Sequence, residues 1–303
     1  MPSEPNSHDT ARPSRLKVWF LAARPKTLPA GIVPVLVGGA LAFNAEAFYL
    51  PAFMIALLGS ILIQVGTNFA NDYFDYKKET DRDDRLGPTR VTQAGLVSPR
   101  QIITATYIVF GLAMIAGIYL AYRGGWPIVF IGLASIICGI LYTAGPLALG
   151  YIGLADLFVL IFYGPVALAG TYYVQVLNAP VDIILAGIPF GMISTAILTV
   201  NNLRDIDSDK KSGKKSLAVR LGRGFARFEY LLMIIGAAVI ALWLGWRLGK
   251  PFMALTAFYL PLAFIPAVAV LRSIDGARLN SALAQTGLLL LVYGFLFALG
   301  WLL

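Results

Sequence analysis

Cysteine occurs once in the 303 residues, at Cys138, and histidine once, at His8. With one of each, disulfides within the chain, Cys-rich zinc sites and a Cys-His nucleophile are excluded. Nor is there a recognisable serine triad, so covalent nucleophilic catalysis has no candidate. Charge is scarce too: Asp, Glu, Lys and Arg make up 13% of the chain, against about 25% in soluble domains. The basic residues carry no interleaved aromatic stripe, which argues against nucleic acid as a partner, and no protein partner is predicted. Residues 1–15 lack the apolar core of a signal peptide and the length of a transit peptide. They read as a disordered cytoplasmic tail ahead of one transmembrane unit, residues 16–303.

What the chain has in abundance is apolar sequence. Hydrophobic residues make up 58% and the mean hydropathy is +0.75, a composition that belongs in lipid. At about 20 apolar residues per crossing, nine helices are predicted: 27–44, 50–70, 101–121, 126–143, 154–174, 182–201, 229–247, 252–271 and 281–302. The fold class is therefore an all-α polytopic membrane protein. With the N-terminus in the cytoplasm, 21 of the 24 Lys and Arg residues fall inside and only Arg123, Arg247 and Lys250 outside, a strong positive-inside bias. The net charge of +8 then reflects topology and attraction to anionic lipid or substrate.

Two short acidic clusters interrupt this pattern, each where an apolar segment ends. The first holds Asn68, Asn71, Asp72, Asp75 and Glu79; the second holds Asn202, Asp205, Asp207 and Asp209. If the helices continue through them, Asn71, Asp75 and Glu79 fall at i, i+4 and i+8, and Asn202, Asp205 and Asp209 at i, i+3 and i+7, so each set shares a face. Asp207 points elsewhere. Crowded carboxylates at a membrane surface persist if a cation neutralises them or water reaches them. For Asp81, Asp83 and Asp84, in a mixed-charge run, an ordinary solvated loop is the better reading. Both clusters end helices that run outside to inside, and long polar loops, 76–100 and 210–228, follow them. The recurrence suggests two four-helix pseudo-repeats plus one extra helix, with the clusters facing each other and the loops as partly helical cytoplasmic caps. Hard oxygen ligands without His or Cys favour Mg²⁺ shared with substrate phosphates.

These residues resemble a known family. Asn-x-x-x-Asp-x-x-x-acid (Asn71, Asp75, Glu79) with a later Asp-x-x-x-Asp (Asp205, Asp209) in a nine-helix membrane protein is similar to the UbiA superfamily of intramembrane aromatic prenyltransferases. Five dispersed stretches resemble its menaquinone-pathway branch, the 1,4-dihydroxy-2-naphthoate polyprenyltransferases. They are Ala23-Arg24-Pro25-Lys26-Thr27-Leu28-Pro29; Gly87-Pro88-Thr89-Arg90 with Gln93 and Gly95-Leu96-Val97-Ser98-Pro99; Tyr142-Thr143-Ala144-Gly145-Pro146; Gly170-Thr171-Tyr172-Tyr173; and Asn201-Asn202-Leu203-Arg204-Asp205. A Val-x-Arg-Thr-like stretch expected of the 4-hydroxybenzoate branch is absent. Two departures keep the charge: Glu79 stands where many relatives have Asp, and Asp156 where this branch often has Glu.

The resemblance implies a membrane enzyme, bacterial-type and of the cytoplasmic membrane, with its active site on the cytoplasmic side. Its substrates would be a polyprenyl diphosphate and 1,4-dihydroxy-2-naphthoate, prenylated with loss of carbon dioxide. It implies Mg²⁺, with Mn²⁺ able to substitute, held by Asn71, Asp72, Asp75, Glu79, Asp205 and Asp209. Asp75, Asp205, Asp209 and Asn71 would be the catalytic set. Substrate contacts would come from Arg24, Asn68, Lys77, Arg90, Tyr142, Tyr172, Asn202, Arg204 and Lys210, with Arg82, Lys214 and Tyr173 as further candidates. The positive-inside rule supplies such cations without any function, and tyrosines at these depths also serve as packing. Within the enzyme class the alternative is another aromatic acceptor or a phytyl donor. Outside it, the alternative is a divalent-cation transporter, disfavoured because no charged path continues to the far face.

Overall fold

The computed structural model describes residues 13–78, 87, 90–145 and 148–303. All regular structure among them is helical. A short helix α1 (Arg15–Ala23) precedes α2 (Leu28–Asn44), α3 (Leu50–Lys77), α4 (Pro99–Gly124) and α5 (Trp126–Leu141). The short helix α6 (Leu149–Ile152) leads to a span built in three pieces: α7 (Ala155–Ile161), a π-helical turn (Phe162–Val166) and α8 (Ala167–Val176). Then follow α9 (Val181–Arg204), α10 (Ile206–Lys211), α11 (Leu217–Leu248), a 3₁₀ segment (Pro251–Phe258), α12 (Tyr259–Arg272) and α13 (Gly276–Leu302). Among the described residues, eight helical segments are long and apolar enough to cross a membrane. The ninth predicted span appears as α5, apolar but only 16 residues long.

Helix starts are set by local chemistry. Ser98 opens α4 with a capping box: its hydroxyl accepts from the Gln101 amide at 3.3 Å and the Gln101 side chain accepts from the Ser98 amide at 2.9 Å. Pro99 occupies the first turn, where no amide partner is needed. Asp275 caps α13 by accepting from the amides of Ala277 and Arg278. The loop expected at 210–228 is largely helical: α10 fills its first part, and α11 starts at Leu217 and kinks at Gly222, whose φ of 85° only glycine adopts readily.

The most extensive helix pairs are α3 with α4 and α9 with α11, the equivalent pairs of the two predicted repeats. A large core joins α2, α8, α9, α11, α12 and α13, centred on the edge-to-face rings of Phe190, Tyr259, Tyr293 and Phe297. A second, smaller core seats Val18 and Ala22 of α1 on Phe69, Val91 and Ile102. Large exposed side chains such as Ile118, Phe130, Val239 and Phe295 cover the bundle's outside with hydrocarbon, as a multi-pass membrane protein requires. The three cations predicted at the far end are there together: Arg123 donates to the carbonyls closing α8, Arg247 pairs with Asp182 at 2.9 Å, and Lys250 donates to Trp301 O.

Candidate active site

Where α3 ends, Asn68, Asn71 and Asp75 follow one another on a single helical face and line a cavity of about 180 Å³. Asn68 donates to the Ala23 carbonyl at 2.9 Å and to Thr27 Oγ1 at 3.4 Å, bracing the turn between α1 and α2. In that turn Arg24 adopts a left-handed backbone, φ 53°, and its side chain lines the same cavity. Asn71 Oδ1 accepts a 2.5 Å hydrogen bond from Thr143, just beyond α5. Asp75, almost wholly buried, is met by Arg90 at 2.5 Å and by the Tyr151 hydroxyl at 3.0 Å.

The second cluster reaches the same cavity by a break in the helix. At Asp205 the backbone leaves helical geometry, φ −94° and ψ 7°, and α10 restarts at a new angle. Asn201, Asn202, Asp205, Ser208 and Asp209 thereby all line the cavity opposite α3. Arg204 lies behind Asp205 and grips it through two bonds, Nε to Oδ1 at 2.7 Å and Nη2 to Oδ2 at 2.5 Å. The same guanidinium donates to Asn201 and to Asn280 of α13, each at 2.7 Å, so it is a brace between helices.

Lys214 joins the two clusters. Its ammonium stands 4.0 Å from Asp75 and 3.5 Å from Asp209. One cation thus stands beside a carboxylate of each cluster. Among the described residues the cavity wall carries three carboxylates, Asp75, Asp205 and Asp209, and three cations, Arg24, Arg90 and Lys214. Lys78 sits at its edge, donating to the Thr143 carbonyl at 2.6 Å and lying over the Tyr151 ring. Burial pushes its ammonium pKa down, against the opposing pull of Asp75.

Beyond Gln64, Thr67, Tyr142, Val159 and Tyr163, which line both, the polar cavity adjoins an apolar one of about 310 Å³. This second cavity lies among α3, α4, α5 and the α7–α8 span, walled by residues such as Gly59, Ala113, Ile131 and Gly170. Met114 and Ile118 of α4 and Leu133 of α5 line it and are exposed.

Most of the predicted site residues converge here: Arg24, Asn68, Asn71, Asp75, Arg90, Tyr142, Asn202, Asp205 and Asp209 line the polar cavity. Four do not. Asp72 is turned away, its carboxylate accepting from the amides of Val91 at 3.2 Å and Thr92 at 3.1 Å. It anchors the turn that carries Arg90. Tyr172 packs into the main core and lines neither cavity. Lys77 and Lys210 are exposed and outside the cavity wall; Lys78 and Lys214, next to the site, are the cations that the fold turns toward it. Arg204 touches Asp205 rather than the cavity, and Tyr173 donates to Gly124 O at the far end. Glu79 and Arg82 lie outside the described residues. Gln64, Tyr151, Tyr163 and Thr143 carry no acidic signature, and only the fold brings them to the site.

Over residues 31–291 the chain matches the UbiA prenyltransferase family. The chain belongs to that family. It is similar to proteins named 1,4-dihydroxy-2-naphthoate octaprenyltransferase: 35% identical to that of Haemophilus influenzae, over 94% of this chain and 96% of the relative. For Mycobacterium tuberculosis the identity is 37%, over 91% and 93%. Among solved structures it is similar to a UbiA homologue from Archaeoglobus fulgidus bound to GPP and Mg²⁺, with TM-score 0.67, 16% identity, and coverage of 93% of this chain and 99% of the other. The same homologue bound to Cd²⁺ aligns with TM-score 0.65, at 15% identity over 92% and 98%. That distant likeness establishes the fold. Both acidic clusters lie within the matched residues.

Proposed function

We propose that this protein transfers a polyprenyl group from polyprenyl diphosphate to 1,4-dihydroxy-2-naphthoate, releasing diphosphate and carbon dioxide and giving demethylmenaquinol. It would do so in a bacterial-type cytoplasmic membrane, with the polar cavity on the cytoplasmic side, where the basic loops gather. The observation that carries this reading is the single cavity lined by both acidic clusters and continuous with an apolar one. The choice of naphthoate rests on the named relatives, alike over more than nine-tenths of their length.

The donor set suits a divalent ion. Asp75, Asp205, Asp209, Asn71 and Asn202 offer oxygen only, as magnesium prefers. Magnesium characteristically shares its shell with substrate phosphates and water. Bound there, magnesium supplies positive charge to the diphosphate oxygens. Glu79 completes the set by sequence.

The chain's own residues do the rest. Arg90 and Lys214 add charge beside the leaving group, so the allylic carbon–oxygen bond breaks with its electron pair going to diphosphate. Arg24 pairs with the naphthoate carboxylate, whose burial alone would be costly. Tyr142 offers its ring to the allylic cation at the junction of the two cavities. The ring carbon bearing the carboxylate forms the new carbon–carbon bond, and the carboxylate leaves as carbon dioxide, returning its electron pair to the ring. The isoprenoid tail lies in the apolar cavity and passes into lipid between α4 and α5.

The test is to supply the purified protein with magnesium, 1,4-dihydroxy-2-naphthoate and a polyprenyl diphosphate and to identify products by mass spectrometry. The prenylated, decarboxylated quinol is expected, none after EDTA, and recovery with Mg²⁺ or Mn²⁺. Equal turnover of 4-hydroxybenzoate would overturn the acceptor assignment.

A further inference from the structure

The boundary between the two cavities is built from hydrogen-bonded side chains that the reaction above does not use. Tyr163 and Gln64 both line the polar and the apolar cavity, and the Tyr163 hydroxyl donates to Gln64 Oε1. Gln64 Nε2 in turn donates to Thr27 Oγ1 at 3.3 Å, and Thr27 donates to the Arg24 carbonyl at 3.0 Å. The chain of bonds runs from the α7–α8 span across α3 to the turn before α2. Each side-chain polar atom in it has a protein partner.

Tyr163 occupies this place because the backbone is distorted for it. It lies in the π-helical turn Phe162–Val166, which also contains Pro165, and such turns are rare and concentrated at functional sites. The turn packs directly on the α9 backbone. A Cβ on Gly164 would stand 2.7 Å from the Gly187 carbonyl, one on Gly187 would stand 2.5 Å from Pro165 Cα, and one on Gly191 would collide with the Leu160 carbonyl. Glycines on both sides therefore fix the position of the turn and so of the phenol.

We infer that the Tyr163–Gln64 pair is a water-excluding latch at the junction, which directs the allylic cation to the aromatic ring rather than to water. The physical reason lies in what meets there. The polar cavity holds hydrated charges, the apolar cavity holds hydrocarbon, and the cation forms where they join. Water that reaches it forms a carbon–oxygen bond, gives its proton to diphosphate and releases a prenol. Two polar groups satisfied by each other offer water no foothold, whereas one left alone is costly unless hydrated.

The inference rests on the prenyltransferase reading, and one assay separates them. Wild type, Tyr163→Phe, Gln64→Leu and the double variant are incubated with a polyprenyl diphosphate, magnesium and 1,4-dihydroxy-2-naphthoate; diphosphate, prenol and prenylated product are counted together. In Tyr163→Phe, which keeps the ring but leaves Gln64 Oε1 without its donor, the prenol-to-product ratio should rise about fivefold. Removing both polar groups in the double variant should return that ratio toward wild type, a recovery that general loosening of the fold would not give. An unchanged ratio in Tyr163→Phe, or a double variant worse than either single one, overturns the latch. Absence of diphosphate release from the wild type would instead count against the transferase reading.

Discussion

Asp72 and Asp75 are three positions apart on one helix and have opposite jobs. Asp75 faces the cavity, while Asp72 holds the amides of Val91 and Thr92 and thereby sets Arg90 against Asp75. Asp72→Ala should therefore destabilise the protein by about 1–3 kcal/mol through two orphaned buried amides and raise KM for the diphosphate donor, while Asp75→Asn, which keeps an acceptor for Arg90, abolishes turnover with little loss of stability. Thermal unfolding alongside initial rates distinguishes them; equal loss of turnover with unchanged stability in both would refute the division. Arg204 is proposed to orient Asp205 rather than to bind substrate, through a fork that lysine lacks. Arg204→Lys should lower kcat roughly tenfold with KM nearly constant, since the charge remains and the two-point hold on Asp205 is lost; a change confined to KM would return Arg204 to the substrate.

At the level of elements, hydropathy located the spans because a run of about twenty apolar residues is itself the physical requirement for crossing lipid. It had no means of seeing the three-piece span. A π-helical turn shifts side-chain phase by one residue without changing composition, so Tyr163 carries no signal in the sequence, whereas Tyr172 is offered by the family resemblance alone and packs into the core. Asp72 was misjudged for a related reason: its partners lie 19 and 20 residues onward, and only the fold of the 90–97 turn brings them back. The acidic clusters were legible because spacing on a helix fixes which side chains share a face. The glycine contacts that hold the π turn give an element-scale prediction. Gly191→Ala should lower stability by about 1–3 kcal/mol through overpacking against backbone, whereas Gly132→Ala, which meets nothing within 4 Å, should not. Equal melting temperatures for the two would contradict the close α7–α9 packing.

For the whole molecule, the distribution of cations predicts which end faces the cytoplasm, and the fold gathers Arg123, Arg247 and Lys250 at the opposite end. In a Cys138→Ala background, Ser212→Cys should react with impermeant thiol reagent only from the cytoplasmic side and Glu46→Cys only from the other. Labelling of both from one side would overturn the topology. The central claim is that two clusters on opposing halves act as one grip on one diphosphate. Its most direct measurement is magnesium-dependent binding of inorganic diphosphate to wild type, Asp75→Asn, Asp205→Asn and the double variant, by calorimetry. Because both carboxylates serve the same ion-bridged ligand, each single change should remove nearly all of the magnesium-dependent affinity and the double change should add little. Independent, additive losses, or diphosphate binding that survives Asp205→Asn unchanged, would contradict it.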